Sequence, residues 1–379
     1  MAEAAGLILV VNAGSSSLKL RLLDPADGVV ATADLPAVSG AEDAALIADA
    51  VSGWGAAARP TAVGHRVVHG GSRFSSATLL TDEVVAEIAS LATLAPLHNP
   101  KAVAAIEAVR AVLPDVPHVA CFDTAFHATL PPAASTYAIP AEWRERWAVR
   151  RYGFHGLNHA YVSRRAAELC GRSGDTGFRV VTCHLGAGSS LAAVLGGRSV
   201  DTTMGFTPLE GLVMATRSGD VDPGLLLWLA REGGLTPDEL SEGLEHRSGL
   251  LGLGGTEDMR EILERARATG DAPAPPGDAR LARDAWAHRL RKGIASMAAS
   301  SGGLDALVFT AGIGERSAEA RALACEGLGF LGVGLDREAN AAAPAFAATE
   351  IGAPGPRVRV FVIPAREDVE IARQVRAAG

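Results

Sequence analysis

The sequence predicts an α/β protein built from two related domains. Its 379 residues exceed what one core usually serves. A pattern of strand, small-residue turn and strand also occurs twice. Leu7–Val11, Asn12-Ala13-Gly14-Ser15-Ser16-Ser17 and Leu18–Leu22 form the first copy. Val180–Cys183, Gly186-Ala187-Gly188-Ser189-Ser190 and Leu191–Leu195 form the second. Such turns present backbone N–H groups in a concave nest suited to an anion, so the repeat suggests two domains facing one charged ligand. Other apolar strands, Val119–Phe122 and Asp305–Thr310 among them, run straight into polar or glycine-rich turns.

Composition narrows the class. Apolar residues make up 48% of the chain and aromatics 5%, so both cores are filled mainly by aliphatics and alanine. A net charge of -8 disfavours general nucleic-acid binding. Only Lys19, Lys101 and Lys292 are lysines, and the arginines that supply the other basic groups suit carboxylate and phosphate. Cys121, Cys170, Cys183 and Cys325 show no metal-ligand spacing, and Cys121 and Cys183 read as core residues of a reducing compartment. The first residues lack a basic flank, and no segment offers about twenty charge-free apolar residues. A soluble cytoplasmic protein without membrane or nucleic-acid partners is expected.

In chain order, Leu23–Pro36 reads as polar and turn-rich and Glu42–Val51 as a short surface helix. Ala62-Val63 begins a strand that ends at Arg66, among histidines and glycines that allow close approach. Thr81 caps a helix with the apolar stripe Val84, Val85, Ile88 and Leu91. Pro96 and Pro100 bracket Leu97 and His98, and a helix is predicted from Lys101 to Leu113. Asp123 follows a buried strand, where open α/β folds put catalytic and Mg²⁺-orienting acids; a helix or turn cap is the plain alternative.

His155 lies in a glycine-flanked turn, and Asn158 reads as the cap of the helix through Leu169. Gly205–Gly224 is too rich in Gly, Thr, Pro and charge for ordinary core, and Arg217 sits at its centre. Ser248–Arg260 reads as a glycine-rich loop and Ala268–Arg280 as an exposed linker. Leu281–Ala299 is a long helix burying Ala285, Ala287, Leu290, Ile294 and Met297. Asp305–Thr310 runs into Gly312-Ile313-Gly314, a weak nucleotide signal, since neither a dinucleotide fingerprint nor a GKS/T loop is present. After the strand Val358–Ile363, Glu367 and Asp368 open a last helix, where acids suit the helix dipole or, for Glu367, a nearby magnesium ion.

Together these motifs resemble the acetate kinase family. The matching blocks are VNAGSSSLK (Val11–Lys19), GHRVVHGG (Gly64–Gly71), LAPLHNP (Leu94–Pro100), FDTAFH (Phe122–His127) and RRYGFHG (Arg150–Gly156). They continue as HLGAGSS (His184–Ser190), DTTMGFTPLEG (Asp201–Gly211), TRSGDVDP (Thr216–Pro223) and FTAGIGE (Phe309–Glu315). The resemblance runs nearly end to end and implies the duplicated actin-like kinase fold, shared with sugar kinases and the Hsp70 ATPase. It implies domains over residues 1–149, with 366–379 returning to them, and 150–365, in a homodimer.

The implied activity is reversible ATP-dependent phosphorylation of acetate, with Mg²⁺, or Mn²⁺ in its place, and ATP/ADP as co-substrate. Arg66 and Arg217 are implied to clamp the carboxylate and the transferring phosphoryl, and His155 to stabilise the latter. Asn12 and Glu367 would hold the metal, with Asp123 acting directly or through water. Asn12, Ser15, Ser17 and Lys19 match one phosphate segment, and His184, Gly186 and Gly188 the other. Gly312, Ile313, Asp258 and Arg260 correspond to the adenosine side. Val68, Leu97, Phe154 and Pro208 match the alkyl pocket. Ala102, Ala187 and Arg366 stand where the family commonly has Asn, and the loop before Arg260 is about one residue short. The alternatives are a propionate or butyrate kinase of the same fold and an inactive actin-like nucleotide-binding protein. A sugar kinase would need polar sugar ligands and an Asp base, and a Rossmann dehydrogenase a GxGxxG turn in place of NAGSSS.

Overall fold

The computed structural model describes residues 6–14, 17–55, 58–96, 98–268 and 277–378. The chain divides into two compact units, one of residues 1–128, 154–161 and 366–379 and the other of 129–153 and 162–365. The division is therefore not a single break near residue 150. Thr129 Oγ1 donates to Ser199 O and Tyr152 N to Gly205 O, which joins residues 129–153 to the second unit. Gly156 N donates instead to Asp123 O in the first.

The first unit contains β1 (Leu7–Ala13), β2 (Ser17–Leu23), β3 (Val29–Pro36), β4 (Pro60–Val67), β5 (Thr78–Leu79) and β6 (His118–Phe122). They pair in the order β3-β2-β1-β4-β6-β5, and β1, β4 and β6 run parallel. Both faces of β1 are buried, so apolar residues are nearly continuous along it. Leu9 and Val11 pack with Ile47, Ala105 and Val109 from the helices Ala44–Ser52 and Asn99–Val112. Ile8 and Val10 pack with Val369, Ile371 and Val375 of the helix Glu367–Ala378. A Cβ at Gly64 on β4 would lie 2.4 Å from Ile371 Cγ2, so glycine is what lets this helix lie on the sheet. Each aliphatic buried there contributes roughly 1.5–3 kcal/mol.

The second unit repeats the plan with β7 (Arg179–Leu185), β8 (Ser189–Leu195), β9 (Arg198–Thr202), β10 (Ala306–Thr310), β11 (Thr349–Glu350) and β12 (Arg359–Val362). Its order is β11-β12-β10-β7-β8-β9, with β7, β10 and β12 parallel. Read from the hairpin side, the two sheets have the same order and the same pattern of strand directions. The helix Ala279–Ser300 crosses this sheet, burying Trp286, Leu290 and Ile294, and Gly293 leaves room for Leu191 on β8. Its Ala285 is only partly buried.

Several local readings need correction. Residues 29–36 form a strand with no buried residue, since β3 is an edge whose alternation the polar composition conceals. The helix after Pro96 starts at Asn99 and not Lys101. Asn158 lies inside the helix Gly156–Leu169 and is fully buried, so it is not its cap. Within the expected loop 248–260, Gly249–Gly254 is helical. A Cβ at Gly254 would meet Ile262 Cδ1 at 2.3 Å, so packing outweighs glycine's low helix propensity. Residues 269–276 of the expected linker lie outside the described residues. Among the described residues no helix is long and apolar enough to cross a membrane, and all four cysteines are free.

Candidate active site

In the first unit, parallel pairing gathers the charged residues at the carboxyl ends of adjacent strands. Val11 lies beside His65 and Arg66 beside Cys121, so Asn12, Arg66 and Asp123 emerge together. Arg66 Nη2 and Nε donate to Asp123 Oδ2 at 2.7 and 3.1 Å, and Nη1 donates to Asn12 Oδ1 at 3.2 Å. Glu367, the first residue of the last helix, brings Oε2 to 3.6 Å from Arg66 Nη1. The Asp123 side chain is 1% exposed and that of Arg66 19%. Burial opposes the charged guanidinium, but the charges of Asp123 and Glu367 outweigh it and hold the Arg66 pKa above its ordinary value.

The next turn is locked by amide chemistry. Asn99 Oδ1 accepts from His69 N at 3.1 Å and its Nδ2 donates to His69 O at 3.0 Å. Thr124 Oγ1 accepts from Gly70 N at 3.0 Å. The His69 ring meets Phe154 edge-on with centroids 5.5 Å apart, and burial lowers its pKa to about 4. His127 Nε2 donates to Phe154 O at 3.0 Å; burial likewise lowers its pKa to about 4, with this bond opposing.

His155 holds φ +56, the left-handed region that a non-glycine residue seldom enters. The following Gly156 is sterically required, because a Cβ there would lie 2.1 Å from Asp123 O. Lys19 sits opposite Asn12 across the first hairpin, and Gly14 N donates to Ser17 O at 2.8 Å to close its turn. Val68 is half-buried and Phe154 buried. Ser15 and Leu97 lie outside the described residues.

In the second unit, Arg217 Nη1 donates to Pro208 O at 3.3 Å and lies 3.9 Å from Met214 Sδ. Among the described residues it has no carboxylate within salt-bridge distance. Burial lowers its pKa from the ordinary arginine value, with the more remote charge of Glu245 opposing. The segment bearing Pro208 is braced from below. Arg151 donates to Thr203 O and Met204 O at 3.2 and 3.1 Å and pairs with Glu210, which also accepts from the Tyr137 hydroxyl. Glycine at 205 leaves room for this pair, since a Cβ there would displace the Glu210 carboxylate and the Tyr137 hydroxyl.

The second hairpin pairs His184 with Ser190, and Gly186 N donates to Gly188 O at 3.1 Å within its turn. Ala311 begins the helix Ala311–Arg316 that carries Gly312 and Ile313. Asp258 and Arg260 pair with each other at 2.6 Å in solvent at the start of the helix Met259–Ala268. Sequence reasoning named Arg66, Asp123 and Arg217 but missed the supporting residues Asn99, Glu210 and Glu315. Each stands inside a matching block, and that is the only signal the sequence offers for them.

Among the described residues no three His, Cys, Asp or Glu side chains form a metal cluster. The oxygens of Asn12, Asp123 and Glu367 nevertheless converge on one cation, the Arg66 guanidinium. Two carboxylates and an amide suit Mg²⁺, which prefers hard oxygen donors and keeps several waters.

Residues 55–373 match the model of the Acetokinase family. The acetate kinase of Leifsonia xyli is 50% identical, with 98% of each chain covered. That of Deinococcus radiodurans is 48% identical, covering 97% of this chain and 96% of the relative. Among solved structures, Porphyromonas gingivalis acetate kinase superposes with a TM-score of 0.89 at 35% identity, over 99% of this chain and 100% of that one. A propionate kinase from Francisella tularensis gives 0.87 at 35% identity, over 98% and 99%. With two α/β domains of the actin-like fold and likeness to these kinases over almost its whole length, the chain belongs to the acetokinase family of carboxylate kinases.

Proposed function

We propose that the protein transfers the γ-phosphoryl group of ATP reversibly to acetate, forming acetyl phosphate and ADP by direct in-line displacement. The observation that carries this reading is the electrostatic state of Arg217: half-buried, its charge opposed by desolvation, and without a carboxylate within salt-bridge distance among the described residues. A partly desolvated cation left in that state is poised to receive an anion. Acetate is ionised near pH 7, so the reaction needs no general base; what it needs is fixed positive charge and N–H donors around the spreading phosphoryl charge.

Arg66 and Arg217 are assigned to the carboxylate and phosphoryl oxygens, and His155 to the phosphoryl group. The glycine turns and Lys19 are assigned to the nucleotide phosphates, and Gly312, Ile313, Asp258 and Arg260 to the adenosine side. Asn12, Asp123 and Glu367 would hold Mg²⁺, which supplies charge neutralisation on the phosphate oxygens. Propionate is the second reading, because a propionate kinase superposes at 35% identity, the same as the acetate kinase. The enzyme is further proposed to act as a cytoplasmic homodimer. In favour of a dimer, the helix Pro223–Arg231 exposes Leu225, Leu227 and Trp228.

Incubation with ATP, Mg²⁺ and acetate should yield a hydroxylamine-trappable acyl phosphate, and acetyl phosphate with ADP should yield ATP. ATP binding with no turnover in either direction would favour a non-catalytic nucleotide-binding protein instead.

A further inference from the structure

We propose that Glu315 is a positioning residue for the nucleotide loop, holding Ala311, and with it Gly312 and Ile313, in binding geometry. The inference rests on the reading of that loop as the adenosine side. Ala311 follows β10 at φ +65, a left-handed conformation that costs a residue with a Cβ but not glycine. Something must hold it there. The Thr310 side chain does not cap the short helix that follows. Ala311 N instead donates at 2.8 Å to Oε1 of Glu315, one turn on in the same helix. That same oxygen accepts from Ala365 N at 2.9 Å, fifty residues further along the chain. One carboxylate oxygen thus joins the loop after β10 to the segment after β12, the strand that runs parallel to β10.

The backbone of Glu315 is itself anchored. Arg321 is 1% exposed and donates through Nη1 to Gly314 O at 3.0 Å and Glu315 O at 2.9 Å. Its Nε and Nη2 are held by Asn340 Oδ1 and O, both at 2.7 Å. The carboxylate is therefore presented from a rigid base, and the loop's conformation depends on it. Ile313 packs against the core of the second unit, whereas Gly312 is exposed, with no atom near enough to hinder a Cβ, so packing alone does not hold residues 311 and 312.

The test compares Glu315→Ala, Glu315→Gln, Ala311→Gly and the double variant Glu315→Ala with Ala311→Gly. ATP Kd is read by calorimetry, together with acetate KM and Tm. Loss of a charge-assisted bond predicts about tenfold weaker ATP binding in Glu315→Ala, with acetate KM unchanged. Glu315→Gln, which keeps an acceptor oxygen, retains most of the affinity. Glycine at 311 reaches the left-handed region without penalty, so the double variant recovers part of the lost affinity.

Unchanged ATP Kd in Glu315→Ala would overturn the proposal. So would equal losses for ATP and acetate, or no recovery with Ala311→Gly, since a general structural brace behaves that way. Should Glu315→Ala fail to fold, Glu315→Asp, whose carboxylate is one methylene too short to reach both Ala311 N and Ala365 N, replaces it with and without Ala311→Gly, and an unchanged ATP Kd there would equally overturn the proposal. Wild-type protein that binds no ATP would overturn the nucleotide reading and this inference with it. Wild-type protein that binds ATP without phosphorylating acetate would refute only the proposed reaction.

Discussion

Arg66 and Arg217 are the same residue type in opposite electrostatic states. In the first unit Arg66 is already satisfied, gripping Asp123 and Asn12 with Glu367 close by, and its charged form is reinforced. In the second unit the Arg217 side chain hydrogen-bonds, among the described residues, only to a carbonyl oxygen and a thioether, and desolvation works against its charge. The difference teaches that the first unit gathers mutually paired side chains at its strand ends. The second sets beside a backbone carbonyl a cation that has no salt-bridge partner among the described residues. A paired charge is oriented before any ligand arrives, whereas an unpaired, partly desolvated charge gains most from the ligand itself.

The largest expected effect sharpens this contrast through stability. Asp123→Ala strands Arg66 in a largely buried site, and removing one partner of a buried pair costs about 3–5 kcal/mol. Asp258→Ala breaks a solvent-exposed pair and the bond from Arg260 N that caps the helix Met259–Ala268, and should cost only about 1 kcal/mol. Chemical denaturation of both variants checks this, and equal losses would dissolve the distinction.

A second expectation concerns acid. His69 and His127 are buried neutral in the first unit, with pKa values lowered by burial to about 4. Between the ordinary histidine pKa of 6.5 and that value, the unfolded chain takes up protons that the folded chain refuses. Stability is therefore fully present above 6.5 and falls as pH drops toward 4, by up to about 1.4 kcal/mol per pH unit for each histidine. Urea unfolding at several pH values should show this slope, and His127→Gln should flatten it. An unaltered slope in that variant would remove His127 from the account.

The smallest effect is on substrate choice. Val68 precedes His69, whose ring meets Phe154, and Val68→Ala should move the kcat/KM ratio from acetate toward propionate. One methylene in a fitted apolar pocket is worth roughly 1–3 kcal/mol, and a truncated wall should recover only part of that. A ratio that does not move would take Val68 out of the pocket.

Much of the charged cluster was legible because it sits where parallel strands end. A strand of Ile8, Leu9, Val10 and Val11 leading into Asn12, and one of Val119–Phe122 leading into Asp123, announce both the sheet and its functional edge. The repeat was legible for the same reason, since both hairpins keep their small-residue turns. Other features depend on distant partners. Asn99 binds the backbone of His69, thirty residues away, and Glu315 binds Ala365, fifty away. No local pattern encodes such pairings. Helix Gly249–Gly254 was hidden by its composition, because glycine there answers to Ile262 rather than to helix propensity. β3 was hidden by exposure, with no buried residue to reveal its alternation.

The central claim is that both arginines, despite their opposite states, act on the reacting anions. The most direct measurement is kcat for Arg66→Ala and Arg217→Ala with acetate and ATP, taken with ATP Kd and Tm for each. Removing a donor aimed at transition-state charge predicts a loss in kcat on the order of 10²–10³ for each variant. Tm should fall for Arg66→Ala, which leaves Asp123 buried without its guanidinium, and hold for Arg217→Ala, which breaks no ion pair among the described residues. Lysine at either position should rescue poorly, because it keeps the charge but loses the planar fork. Near wild-type kcat in either alanine variant would contradict the account and remove that arginine from the reaction.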